Sequence, residues 1–195
     1  MEEPPLADQF VPRETELRDR LQEASGTEAL DIHRDLTDLY LAANRIDLAA
    51  AEAERIAEIT DTENDWAIAG NLYYDVMESR GDASRSAYAK RAIEAYSRAL
   101  EINPDNLDVR TDMAIAYMYD PDNPMMAIQQ TNRVLEQDSL HIQANFNRGV
   151  MLANINRIDQ AVEQFEKVKR IIGDESSPIY QRAEQAIASV RGVAR

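Results

Sequence analysis

Two histidines, His33 and His141, are the chain's only imidazoles, and each could move a proton or bind a metal. They stand far apart in sequence, with no HExxH or other paired-ligand spacing, so each reads as a structural histidine. His33 falls on the packing face of a leading helix and His141 at a helix start. Asp120-Pro121-Asp122-Asn123-Pro124 has the oxygen spacing of a calcium loop. Its glycine is missing, however, and Thr131 stands where the bidentate glutamate belongs, which leaves a proline-rich turn between helices. There is no cysteine, which removes disulfides, thiolate zinc sites, iron–sulfur clusters and cysteine nucleophiles together. No P-loop, GxGxxG or GxSxG occurs. Carboxylate pairs are so common in this acidic chain that none is informative. The expectation is a non-enzyme with no cofactor and no metal.

The composition bounds the rest. At 195 residues the chain makes one ordinary domain or one short solenoid, and 44% hydrophobic residues, much of it alanine, suits closely packed helices. The formal charge is −15, from 36 acidic and 21 basic residues. Such a chain repels a phosphate backbone, so nucleic acid is not an expected partner. Only Lys90, Lys167 and Lys169 are lysines, which leaves 18 arginines. Two readings of that bias stay open: a halophilic host, or a GC-rich genome with ordinary surface acidity. No stretch approaches the roughly 20 apolar residues of a membrane helix, so no direct membrane insertion is expected. Met1-Glu2-Glu3-Pro4-Pro5 lacks the basic start and apolar run of a signal peptide. Two settings follow as expectations: cytoplasmic, or the soluble domain of a membrane-anchored protein.

The elements that must position any site announce themselves by repetition. Ala161, Phe165 and Val168 are spaced four and three residues apart. Ala92, Tyr96 and Ala99 repeat the spacing, as do Ala127, Thr131 and Val134. The loop Asn44-Arg45-Ile46-Asp47 has a twin, Asn156-Arg157-Ile158-Asp159, 112 residues later. An internal repeat of this length points to stacked helix pairs. Starts at Leu30, Glu63, Leu107 and Ile142 give intervals of 33, 44 and 35 residues.

Over about residues 30–173 the pattern resembles the tetratricopeptide repeat (TPR), whose period is about 34 residues. In the second unit Trp66, Gly70 and Tyr73 match the family's first helix, and Ala92, Tyr96, Ala99 and Pro104 match its second helix and closing proline. In the fourth, Gly149, Leu152, Ala161, Phe165 and Val168 match. The third keeps Met113, Ala114, Tyr117, Ala127 and Val134, with Thr131 for the usual aromatic and Ser139 for the proline. The first keeps Leu36, Tyr40, Ala49 and Ile56, with Thr37 at a small position and Ala53 at an aromatic one. The physics agrees. Gly70 and Gly149 interrupt helical patterns at about 1 kcal/mol each against alanine, which a helix retains where a neighbour approaches closely. The resemblance implies an all-α fold, a right-handed α-α superhelical solenoid of about four helix pairs with single flanking helices at each end.

The expected organisation is a tail over 1–12 and an N-terminal helix and turn over 13–29. A degenerate unit over 30–62 follows, then units over 63–106, 107–141 and 142–176, and a capping helix over 177–195. Pro12 suits a first helical turn, Ser25 and Glu28 stand at capping-box spacing, and Ser177-Pro178 reads as N-cap and first residue. Tyr73 to Ala92 spans nineteen residues where the first and fourth units use nine. Ten extra residues therefore surround a turn near 79–85, read as two prolonged helices joined by a tolerated surface loop.

The resemblance also implies a concave groove lined by the first helix of each pair. In this phasing the groove residues are Asn71, Tyr74, Asp75, Asp112, Ile115, Met118, Tyr119, Phe146, Asn147, Val150 and Asn154, with Arg34 and Asp38 from the first unit. Asn71 and Asn147 can meet a peptide backbone, and the aromatic residues offer contact area of the hot-spot kind. Some of these residues could instead pack against the terminal helix. One TPR subclass clamps acidic tails with basic residues and asparagine. Here those positions hold Ala67, Thr111, Gln143 and Asn147, with Asp112 where asparagine is wanted, so a partner with basic or apolar groups is expected. The implied function is a protein–protein interaction scaffold that binds a peptide or partner protein, similar to bacterial TPR assembly or maturation factors. The alternative is an accessory helical domain of an enzyme or of a membrane-anchored envelope factor.

Overall fold

In the computed structural model, residues 5–81 and 84–193 are described, and every regular element among them is helical. The α-helices are α1 Val11–Glu23, α2 Thr27–Ala42, α3 Ile46–Thr60, α4 Glu63–Ser79, α5 Ser84–Ile102, α6 Leu107–Ala116, α7 Met125–Gln137, α8 Ile142–Asn154, α9 Ile158–Ile172 and α10 Pro178–Val193, with a 3-10 turn at Tyr117–Tyr119 after α6. The chain divides into two compact units, residues 1–109 and 110–195. In the first, successive helices α1 to α5 pack neighbour on neighbour. In the second, α7 to α10 do the same.

The twin loops of the sequence are twins in backbone. Asn44 and Asn156 both take left-handed φ, 55° and 59°. The following arginines donate their backbone N–H back across the helix end, Arg45 to Tyr40 O at 2.8 Å and Arg157 to Leu152 O at 2.9 Å. That six-to-one bond is the Schellman closure, and asparagine tolerates the left-handed residue it requires. The same four-residue string therefore ends α2 and α8 and starts α3 and α9 in the same way.

The glycine positions behave as close-approach sites. A Cβ on Gly70 would stand 2.5 Å from two ring carbons of Tyr96, and one on Gly149 would stand 2.5 Å from Phe165 Cε1. Ala92 and Ala161, each four residues before one of these rings, are buried, as is Ala127 at the matching place before Thr131. Where Thr131 replaces the ring, its hydroxyl donates to Ala127 O at 2.9 Å and the Met151 sulfur lies 3.5 Å away.

Two local expectations shift. α2 starts at Thr27 with Gly26, at φ 59°, in the cap position, and no side chain caps it, so Ser25 and Glu28 form no capping box. α6 does not remain α-helical through Tyr119. Asp120 precedes Pro121, which disfavours α geometry at Asp120, and the last turn tightens to 3-10. Asp120 then closes its own loop, accepting from Asp122 N and Asn123 Nδ2. Asp82 and Ala83 of the anticipated 79–85 turn, and Met1–Pro4 of the tail, lie outside the described residues. Ser177 O accepts from Gln181 N at 3.1 Å as α10 begins.

Both histidines hold structure. His141 Nδ1 accepts from Ala144 N and caps α8, while His33 Nδ1 lies 2.6 Å from Glu52 Oε2, which is buried on α3. Arg18 reaches the other Glu52 oxygen at 2.8 Å, so the buried carboxylate is paired twice.

Two buried phenols make the fold sensitive to alkali. Tyr40 donates to Glu14 and accepts from Arg18; burial first and the Glu14 bond second push its phenol up to about 12. Tyr73 donates to Glu54 at 2.7 Å and accepts from Arg91, and burial followed by Glu54 pushes it up as well. A phenol raised in the folded state contributes stability that is intact below the unfolded tyrosine value near 10 and is lost as pH rises through the folded value. Melting temperature should therefore fall between pH 10 and 12, more steeply than in Tyr40→Phe. Circular-dichroism melts at stepped pH check this, and equal slopes for the two proteins would refute it.

Candidate partner-binding faces

In the first unit the candidate face is carried by α4. Gly70 lets the Tyr96 ring cross the helix, and the Tyr96 hydroxyl, at the end of a ring that is 1% exposed, donates to Asn71 Oδ1 at 2.9 Å. Asn71 itself is exposed. Its oxygen is thus held from the core while the residue stays on the surface, which pre-orients the carboxamide. Tyr74 is half-buried beside it and Asp75 is exposed. The Asp75 carboxyl is held above its ordinary value, by partial burial first and by the Glu78 charge second. A cation brought here would relieve that cost. On α2, Arg34 is exposed and pairs with Asp31 at 3.2 Å, and Asp38 is exposed.

In the second unit the expected residues do not share one environment. Asp112 and Ile115 are half-buried on α6, and Met118 and Tyr119 are half-buried in the 3-10 turn, off the α-helical register that the spacing assumed. Asn154 is exposed, and half-buried Val150 packs on the cluster around Phe165. Phe146 and Asn147 are each only 4% exposed, so the reading of them as open groove residues is corrected. The Phe146 ring lies 5.3 Å from that of Phe165, and the Arg182 guanidinium of α10 sits over it at 4.7 Å. Arg182 was not legible from the repeat, because α10 lies outside it. Asn147 Oδ1 accepts from Gln143 Nε2 at 2.7 Å, while its buried Nδ2 has no protein acceptor.

Among the described residues, no three His, Asp or Glu side chains converge as a metal site, and no helix is long and apolar enough to cross a membrane.

No protein-family model and no curated protein matches this sequence. Solved structures do match. TTC0263, a thermophilic TPR protein of Thermus thermophilus, superposes with a TM-score of 0.64 at 15% identity, covering 92% of this chain and 91% of that one. MamA superposes at 0.62 and 18% identity, covering 85% and 82%. YrrB, described as a TPR protein with an unusual peptide-binding site, superposes at 0.53 and 20% identity, covering 91% and 83%. At these identities the likeness speaks for fold. The chain has the all-α helical-repeat fold of the tetratricopeptide-repeat proteins.

Proposed function

We propose that the chain is a non-catalytic scaffold that binds a peptide segment or partner protein on the inner faces of its leading helices, with α4 as the principal contact. The observation that carries this is the Tyr96–Asn71 arrangement: an exposed carboxamide steadied by a buried phenol, with an aromatic ring and a carboxylate one helical turn on. Asn71 reads a peptide backbone, Tyr74 supplies apolar area, and Asp75 with Asp38 favours a partner carrying lysine or arginine. The peptide-binding site attributed to YrrB supports the reading by analogy of fold.

The test is selection from a random peptide library on the intact chain, followed by titration of the selected peptides. Winners should be rich in basic and apolar residues. Tyr74→Ala should weaken them at least tenfold, about 1.4 kcal/mol, while the melting temperature moves little, as for most surface changes. Asn71→Ala should weaken them as much and, because it removes the acceptor of the Tyr96 hydroxyl, should also cost about 1–3 kcal/mol of stability. Basic winners that bind both variants as tightly as wild type would remove α4 as the contact.

A further inference from the structure

A different face of the second unit carries charge of the opposite sign. A cavity of about 510 Å³ opens between α8 and α9, with Ile128 of α7 also in its wall. Arg148, Arg157, Lys167 and Arg170 line it against a single carboxylate, Glu163. A second cavity of about 550 Å³ adjoins it and shares Lys167 and Arg170, with Leu140 on its far wall. Exposed apolar residues bracket the pair, Ile155 at 52% and Leu140 at 60%.

Acidic residues outnumber basic ones 36 to 21, and Arg13, Arg18, Arg34, Arg45, Arg55, Arg91 and Arg98 are each ion-paired. Among the described residues, Arg148, Arg157 and Arg170 have no carboxylate partner, as is also true of Arg133, Arg182 and Arg191; the first three are set apart by lining one pocket. Lys167 is fixed by donating to Ser139 O at 2.8 Å. Three guanidinium forks lining one cavity suit planar carboxylates, which such forks bind bidentately. The lining also includes four apolar side chains, Ile128, Met151, Leu152 and Ile155. A free phosphate gains nothing from those apolar side chains, whereas a large apolar side chain does. A long polyanion would meet the chain's overall −15.

We infer that this α8–α9 pocket is a second binding site, for a short acidic peptide segment carrying a large apolar side chain. It lies on a different face of α8 from Asn147, Val150 and Asn154, and takes a partner of opposite charge to the one proposed for α4. It does not rest on that proposal.

The probe is a fluorescein-labelled octapeptide of glutamate and aspartate around a central Leu-Phe pair, titrated by anisotropy into the intact chain at 0.1 M salt. Saturable binding is expected, weakened at least tenfold by Arg148→Glu combined with Arg170→Glu and at least threefold by Ile155→Asp. A peptide with lysine for every acid should not bind, and Asn71→Ala with Tyr74→Ala should leave binding within twofold. Circular dichroism establishes that each variant keeps the wild-type spectrum. If the arginine pair unfolds the chain, Ile155→Asp and a probe with Gly-Ser for Leu-Phe carry the test, both expected to weaken binding. Absence of saturable binding overturns the proposal, as does indifference to the arginine reversal. Equal affinity for an eight-nucleotide oligothymidylate, unaffected by the Gly-Ser replacement in the probe, would show a general anion surface and overturn it too.

Discussion

Gly149→Ala is expected to destabilise the protein by about 1–3 kcal/mol, although alanine is the better helix former by about 1 kcal/mol. The new methyl would stand 2.5 Å from Phe165 Cε1 and 2.8 Å from Cδ1 and Cζ. That ring is 1% exposed and packed among Phe146, Ala161, Val168, Ala183 and Ile187, so it has no open space to retreat into. Phe165→Ala should cost about 3–5 kcal/mol, because a ring-sized void would open at the same crossing. The double variant should cost less than the two singles together, since the void takes up the methyl, and residues in contact show coupling of about 0.5–3 kcal/mol. Gly192→Ala is the control. No atom lies within 4 Å of its Cβ position, so it should be neutral or gain at most about 1 kcal/mol. Urea denaturation of the four variants checks this, and a Gly149→Ala protein as stable as wild type would remove close approach as the reason for the glycine.

That pair also shows what spacing can reveal. A small residue on one helix and a ring four residues after a small residue on the next form a packing code that needs only local geometry, so Gly70 with Tyr96 and Gly149 with Phe165 were legible before any coordinates. The Asn44 and Asn156 loops were legible because closing a helix through a left-handed residue is also a local event. What escaped depends on neighbours outside the periodic pattern. The end of α6 follows from Pro121 acting on Asp120, a single bond that overrides the helical stripe through Tyr119. Gly26 displaced Ser25 at the cap of α2 because its left-handed φ already set the chain's entry. The basic pocket escaped because Arg148, Arg157, Lys167 and Arg170 occupy positions that the repeat pattern leaves unspecified. Spacing assigns a residue to a face and says nothing of what covers that face.

Phe146 follows from the same limit, and its truncation is the other large effect. The repeat spacing places Phe146 on an inner face, where Phe146→Ala should weaken a partner and spare the fold. Its burial predicts the reverse. At 4% exposure, against Phe165 and beneath Arg182, truncation should cost about 3–5 kcal/mol. For a chain of this size each kcal/mol moves the melting temperature by about 2–4 °C, so a drop on the order of 6–20 °C is expected. Arg182→Ala should cost at most about 1 kcal/mol, the worth of a cation–π contact near the surface. Phe146→Leu, which keeps most of the volume, should recover most of the loss. If Phe146→Ala melts with wild type, the ring is not in the core and the α10 contact is wrong. If it melts early, any loss of partner binding in that variant reports unfolding of the second unit. The recognition surface must then be mapped with exposed positions such as Asp75 and Asn154, whose removal leaves the core intact.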